Sequence, residues 1–315
     1  MNNEIFISVI IPLYNKEASI LSTIRSVLSQ TMPHFEIIIV DDGSTDDSLS
    51  VAKSIDDIRL KIYTTKNLGV SHARNYGVAK ASYAYVAFLD ADDYWYPNHL
   101  AVLSQMITRF PTYRWFATAY DIQHTNRLCL PMSSPLMVNG EDWIGVVEDY
   151  FSNSLHDNLA WTSAVCMRKE FFDLLGGFDL TLRNNQDTDL WLRAALLSPL
   201  VFSTTLSARY IIAGDGHISK RDIMKKTVMD FDHYETYCDT IPSLKHYLDL
   251  NRYSVALKYK LAGERGLSAQ YSEKIDLNNL SKRQRFILKS PRCLTQALML
   301  LKQFLEVLNL RFRSN

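Results

Sequence analysis

A chain of 315 residues is longer than a single hydrophobic core usually grows, so one large domain with an appendage is expected. Hydrophobic residues make up 47% and charged residues 22%, an ordinary globular balance that excludes a disordered chain. The 34 Lys and Arg exactly offset the 34 Asp and Glu, so bulk charge offers no basis for a nucleic-acid partner. Cys129, Cys166, Cys238 and Cys293 are widely spaced and form no CxxC pair, which fits a reduced, cytoplasmic setting. The polar start Met1-Asn2-Asn3-Glu4 has no basic leader, and no apolar run approaches the roughly 20 residues of a bilayer span. The expectation is a protein that is soluble or lies on a membrane surface.

Up to about residue 120, apolar runs alternate with segments of helical period. Residues 6–13 (FISVIIPL) read as a buried parallel strand, and Asn15 is placed to cap a helix carrying Ile20, Ile24, Val27 and Leu28 on one face. Residues 36–40 (EIIIV) read as a second strand, 48–54 as a helix, 60–63 as a weaker strand, 71–80 as a helix and 85–89 (YVAFL) as a fourth strand. Pro97 opens the next helix. This alternation predicts right-handed crossovers onto a mostly parallel sheet, with polar loops converging at the carboxyl ends of its strands. Beyond it, strand-like pieces at 115–120, 163–167 and 200–213 mix with helices expected at 141–151, 169–175 and 187–197. After His217 only helical segments are expected, and a strongly basic stretch at 281–315 carries an apolar stripe of Leu294, Leu298, Leu301, Phe304, Leu305 and Leu308.

Four constellations carry chemistry. In Phe88-Leu89-Asp90-Ala91-Asp92-Asp93 the carboxylates repel one another unless a cation stands between them, and two of them one residue apart can share a divalent ion with phosphate and water. The same cluster also reads as an acidic turn ahead of the helix opened by Pro97. In Asp41-Asp42-Gly43-Ser44-Thr45, Gly43 permits a tight turn and Ser44 or Thr45 can cap a helix, while an Asp can accept from a base N–H or a sugar hydroxyl. In the run from Asn67 through Gly69 to Arg74 and Asn75, the glycine allows close backbone approach and the arginine can pair with phosphate or with an acidic loop. Finally, Gly176-Gly177-Phe178-Asp179 ends one helix and Gln186-Asp187-Thr188-Asp189 begins another, where a helix dipole favours a carboxylate; Asp189 reads as a plain first-turn residue.

Taken in order, SVIIPLYN, EIIIVDDGSTDDS, NLGVSHARNYGV, FLDADD and GGFD…QDTDLWLRA resemble the bacterial family 2 glycosyltransferases of the GT-A fold over about residues 5–215. The resemblance implies an α/β fold with a nucleotide-binding, mostly parallel sheet flanked by helices. It implies a catalytic domain at 1–215 and a helical C-terminal extension at 216–315. It further implies an inverting transfer from a nucleotide diphosphate sugar, with UDP as the expected nucleotide. The acceptor would be a saccharide or lipid-linked hydroxyl, the sugar a hexose or N-acetylhexosamine, and the setting surface polysaccharide synthesis. On the family pattern Pro12, Tyr14, Glu17 and Asp42 lie by the base, with Asn67, Gly69, Arg74, Asp90 and Ala91 completing the nucleotide pocket. Asp90 and Asp92 form the Asp-x-Asp pair for Mn²⁺ or Mg²⁺, with His217 as a further candidate ligand, and Asp187 matches the general base. Gln186 stands where the family usually has Glu. The basic C-terminal stripe suits either an anionic membrane surface, giving a peripheral location, or packing on the catalytic domain or a second subunit. Two other classes compete, a nucleotidyltransferase, whose glycine-rich basic loop is missing near the first strand, and a non-catalytic sugar-nucleotide-binding module.

Overall fold

The computed structural model describes residues 4–125, 128–212 and 227–307. Its first half follows the alternation read from the sequence: β1 (Ile7–Leu13), α1 (Ile20–Leu28), β2 (Phe35–Asp41), α2 (Ser48–Lys53), β3 (Leu60–Thr64), α3 (Val70–Lys80) and β4 (Tyr85–Phe88). Every residue of β1, β2 and β4 is buried, which is why their sequences are continuous rather than alternating apolar runs. These strands pair in parallel in the order β3-β2-β1-β4. The chain therefore steps outward from β1 through β2 to β3 and then returns to the other side of β1. That reversal opens a crevice beyond the ends of β1 and β4, the place where sheets of this kind bind ligands.

The second half extends the same sheet with β5 (Tyr94–Trp95), β6 (Trp115–Gln123), β7 (Cys129–Pro131), β8 (Ile144–Val147), β9 (Val165–Arg168) and β10 (Leu200–Ile211). Between them lie α4 (His99–Arg109), α5 (Tyr150–Asn153), α6 (Lys169–Leu174) and α7 (Gln186–Leu197). β9 runs antiparallel between β4 and β6, while β6 and β10 are parallel. The sheet is thus parallel across its first four strands and mixed beyond them. The helix expected over 141–151 is absent; Ile144–Val147 instead pairs antiparallel with β10, and only Tyr150–Asn153 is helical. Ile-Gly-Val-Val is weak helix material, and the start of β10 offers it unpaired backbone groups. α4 begins at His99, after Asn98, two residues past Pro97.

After β10, the described residues form α8 (Phe231–Glu235), α9 (Pro242–Ala262), α10 (Arg265–Ser272), α11 (Lys282–Lys289) and α12 (Arg292–Val307). The division expected at 215/216 falls outside the described residues. Leu244, Tyr247, Leu248, Val255 and Tyr259 of α9 join the same buried core as the sheet, and the Tyr247 ring lies 5.5 Å from Phe151. An ionic network ties these helices together. The buried Arg252 faces Asp249, Glu235 and Asp232, and Asp249 also accepts from Lys245 Nζ at 2.6 Å and Asn279 Nδ2 at 2.8 Å. Leu294 and Leu301 on α12 stay 39% and 53% exposed, so on these residues the chain itself does not cover the apolar stripe. Among the described residues no helix is long and apolar enough to cross a membrane.

Two predictions follow from this packing. Removing one member of a buried ionic group leaves its partners desolvated and unmatched. Asp249→Ala should therefore lower unfolding free energy by about 3 kcal/mol in urea titrations, at the low end of such losses because Arg252 keeps two carboxylates. His99 is buried on Trp95, with ring centroids 4.1 Å apart, and its Nδ1 lies 2.9 Å from Ser207 Oγ. Burial lowers its pKa to about 3, so it stays neutral in the fold while the unfolded chain takes up a proton near pH 6.5. A depressed base loses stability as pH falls below the unfolded value, here by up to about 1.4 kcal/mol per pH unit between 6.5 and about 3. His99→Gln should remove that component when urea unfolding of both proteins is compared from pH 7 to pH 4.5.

Candidate active site

The loops after β1, β2, β3 and β4 meet at one edge, as the alternation predicts. They are stitched together by side chains read from sequence as helix caps. Asn15 adopts a left-handed φ of 51° and caps no helix; its Oδ1 accepts from Thr45 N at 2.8 Å, and its own N donates to Ser44 Oγ at 3.1 Å. Ser44 and Thr45 likewise join the β1 loop instead of starting α2, which begins at Ser48. Lys16 N donates to Ser48 Oγ at 2.6 Å, and Glu17 Oε2 accepts from Asp47 N at 2.9 Å. The physical reason is that a loop amide left without a strand partner must find an oxygen, and the neighbouring loop supplies it.

Asp42 is buried and accepts from Thr65 Oγ1 at 2.7 Å, Leu68 N at 2.8 Å and Gly69 N at 2.6 Å. It shapes the loop after β3, leaving Oδ2 with one bond of its own and room for another donor. Gly69 needs to be glycine: φ is +101°, and an added Cβ would fall 2.2 Å from Arg183 Nη1. Asn67 Nδ2 donates to Tyr14 Oη at 3.1 Å across the cleft, while Pro12 is buried within β1.

The acidic loop after β4 divides into three differently treated carboxylates. Asp90 pairs with Arg74 at 2.5 Å, and Arg74 is buried against the Phe178 ring with Nε and Nη1 unpartnered. Asp92 pairs with Lys16 Nζ at 2.5 Å, so a residue from the β1 loop reaches across the crevice to the β4 loop. Asp90 and Asp92 are 26% and 21% exposed, open to a ligand from the solvent side. Asp93 is not part of that open group. It is buried, accepting from Ser163 Oγ at 2.5 Å, Trp161 Nε1 at 3.3 Å and Ile211 N at 3.1 Å. Burial, reinforced by the charges of Asp90 and Asp92, pushes its carboxyl well above the usual range. Ala91 lies buried between the two open carboxylates, its carbonyl accepting from Ser19 Oγ at 2.9 Å and Thr23 Oγ1 at 3.1 Å.

Asp187 is the second residue of α7, where its Oδ1 accepts from Thr188 N at 2.7 Å. Asp189 is more than a first-turn residue: buried, it binds Arg193 at 2.5 Å and Tyr234 Oη at 2.7 Å, tying α7 to α8. The Tyr210 phenol is pushed up by burial and then by the charges of Asp93, Asp92, Asp90 and Asp187. On α9, burial pushes the Lys258 ammonium down, and the charge of Asp187 opposes that shift. Sequence reading missed Tyr210, Trp161 and Lys258. It also missed Lys16, one residue past SVIIPLYN, whose pairing with Asp92 has no local signature. His217 lies outside the described residues. Among the described residues, no three His, Cys, Asp or Glu side chains group to hold a metal ion.

A parallel four-strand unit with acidic loops across its switch point defines an open α/β class in which ligands bind beyond the carboxyl ends of the strands. Residues 8–141, less than half of the chain, match the family model described as Glycosyl transferase family 2, so this part of the chain is similar to that family. An uncharacterized glycosyltransferase of Rickettsia conorii, RC0461, is 46% identical over 101 residues, 32% of this chain and 17% of the relative. The putative teichuronic acid biosynthesis glycosyltransferase TuaG of Bacillus subtilis is 45% identical over 97 residues, 30% of this chain and 38% of the relative. In Escherichia coli, the UDP-Glc:alpha-D-GlcNAc-diphosphoundecaprenol beta-1,3-glucosyltransferase WfaP is 46% identical over 92 residues, 28% and 36% of the two chains. The aligned segments therefore span well under half of each of these relatives. Among solved structures, S. aureus TarS residues 1–349 in complex with UDP-GlcNAc is similar with a TM-score of 0.58 over 96% of this chain and 79% of that one, at 19% identity. At that identity the likeness establishes the fold.

Proposed function

We propose that this protein is an inverting glycosyltransferase moving a hexosyl or N-acetylhexosaminyl group from a UDP-sugar to a hydroxyl of a saccharide or lipid-linked acceptor in surface polysaccharide synthesis. The observation that carries the reading is the convergence of the loops after β1 to β4 at one edge of the sheet, where Lys16 reaches Asp92 and Arg74 holds Asp90. The printed activities of WfaP and TuaG and the UDP-GlcNAc complex of TarS support the donor and acceptor classes.

In this reading, residues 1–215 form the catalytic domain. Asp42, held by the Leu68 and Gly69 amides, takes the base on its remaining Oδ2 position, beside Tyr14. Arg74, buried with Nε and Nη1 free of protein partners, acts through Asp90, which it holds at the ribose and diphosphate side. Asp90 and Asp92 suit a divalent cation, Mn²⁺ or Mg²⁺, held jointly with substrate oxygens, because they are two open carboxylates and not a closed protein cage. Such a cation would neutralise charge on the departing diphosphate. Lys16 pairs with Asp92, which eases the repulsion between the like charges of this loop. Asp187 takes the proton from the acceptor hydroxyl as that oxygen attacks the anomeric carbon.

Asp187→Asn should cut transfer by about 10²- to 10⁴-fold while UDP affinity changes less than about two-fold. Coupled UDP-release assays and calorimetry check this, and equal loss of transfer and UDP binding would remove Asp187 from the base role. Asp92→Ala should abolish the Mn²⁺-dependent part of UDP binding, read by titrating UDP with and without Mn²⁺; an unchanged Mn²⁺ dependence would refute the cation assignment.

A further inference from the structure

The chain is neutral as a whole, yet its charges separate towards the C-terminus. Residues 281–301 hold Lys282, Arg283, Arg285, Lys289 and Arg292 and no Asp or Glu. α11 carries most of this charge on a fixed mount. Ser281 and Gln284 close a capping box at its start, and Lys260 Nζ of α9 donates to the carbonyls of Ile287 and Leu288, both at 2.8 Å, at its end. Ile287 is buried against the chain, whereas Lys282, Phe286 and Lys289, four and then three residues apart on one helix face, are all exposed. On α12 the fully buried Thr295 marks the inner side, and Leu294 and Leu301, two turns apart, share an exposed face. Phe286, Leu300 and Leu301 are 57%, 65% and 53% exposed, too open to be core residues. Arg283 and Arg292 are exposed as well. None of the ion pairs among the described residues involves Lys282, Arg283, Lys289 or Arg292.

We propose that α11 and the start of α12 form a docking surface for an anionic lipid bilayer. Phe286, Leu300 and Leu301 enter the headgroup boundary, and Lys282, Arg283, Lys289 and Arg292 meet lipid phosphates. Charge complementarity decides the occupant. An anionic bilayer attracts clustered Lys and Arg at its surface and takes up large apolar side chains beside them. A second copy of this chain, docked face to face, would set one basic cluster against the other. A nucleic acid would match the charge but leave Phe286, Leu300 and Leu301 in water. The surface also has a firm attachment. Both helices pack on α9, and α9 joins the core of the sheet through Leu244, Tyr247 and Leu248, so a bilayer held here orients the whole chain. The inference is independent of the glycosyltransferase reading, since it needs neither donor nor acceptor.

The test is co-flotation of the full chain with vesicles of phosphatidylcholine alone and of phosphatidylcholine with about one-third phosphatidylglycerol. The chain should float with the anionic vesicles and stay behind with the neutral ones. Raising salt from about 0.1 M to about 0.5 M should remove most of that binding. Lys282→Ser, Arg283→Ser, Lys289→Ser and Arg292→Ser combined should weaken partitioning about 100-fold or more. Phe286→Ser with Leu301→Ser leaves the charge unchanged and should weaken it about 10-fold. All these side chains are exposed, so the midpoint of urea unfolding should stay in place; if the charge variant does not fold, the apolar variant and the salt dependence decide. Absence of flotation with anionic vesicles, or equal flotation of the charge variant, overturns the membrane surface. Self-association without vesicles that Phe286→Ser with Leu301→Ser abolishes, together with no flotation, assigns the face to a second copy and overturns it too.

Discussion

The organising constraint is the crowding of carboxylates at the carboxyl ends of parallel strands. Four of them, Asp42, Asp90, Asp92 and Asp93, stand in two adjacent loops, and like charges this close destabilise a fold unless each is matched. The structure matches each one differently. Asp42 is satisfied by backbone amides, Asp90 by Arg74, Asp92 by Lys16, and Asp93 by burial that favours its neutral form. Ion pairs with some exposure contribute little to stability, so the Asp90 and Asp92 pairs are replaceable contacts, whereas the deeply held Asp42 and Asp93 are fixed parts of the frame. Open carboxylates flanked by fixed ones along one edge suit a cleft for a charged ligand.

The helices after β10 belong to this arrangement through the core. α9 places Tyr247 against Phe151 and brings Lys258 into the field of Asp187, and Asp189 on α7 reaches Tyr234 on α8. The first turn of α7 is therefore held from both sides, by the sheet through Trp191 and by the C-terminal helices through Asp189. Such a mounting fixes the orientation of Asp187, because orientation is lost when the supporting helix shifts. The ionic network of Asp249 and Arg252 holds α8 and α9 together.

Much of the first half was legible because a strand covered on both faces must be a continuous apolar run, and the loops beyond it must be polar. That rule located β1, β2 and β4 and the acidic loops without any knowledge of pairing. It failed at Ile144–Val147, where a short apolar run with glycine took its structure from the free edge of β10. It also misassigned Asn15, Ser44 and Thr45, whose side chains can satisfy a helix terminus or a neighbouring loop equally well. Trp161 and Tyr210 carried no signal, since an isolated aromatic residue near a strand reads as core.

The sequence by itself determined the α/β order of elements, the family that its first part resembles, and the loops on which the acidic residues lie. All three are local, set by periodicity and by short runs of adjacent residues. Only the tertiary structure decided which carboxylates are open and which are held. Those choices depend on partners distant along the chain, such as Lys16 with Asp92 across 76 residues and Trp161 with Asp93 across 68. A charge takes its character from whichever group packing brings beside it, and nothing in its own neighbourhood of sequence names that group.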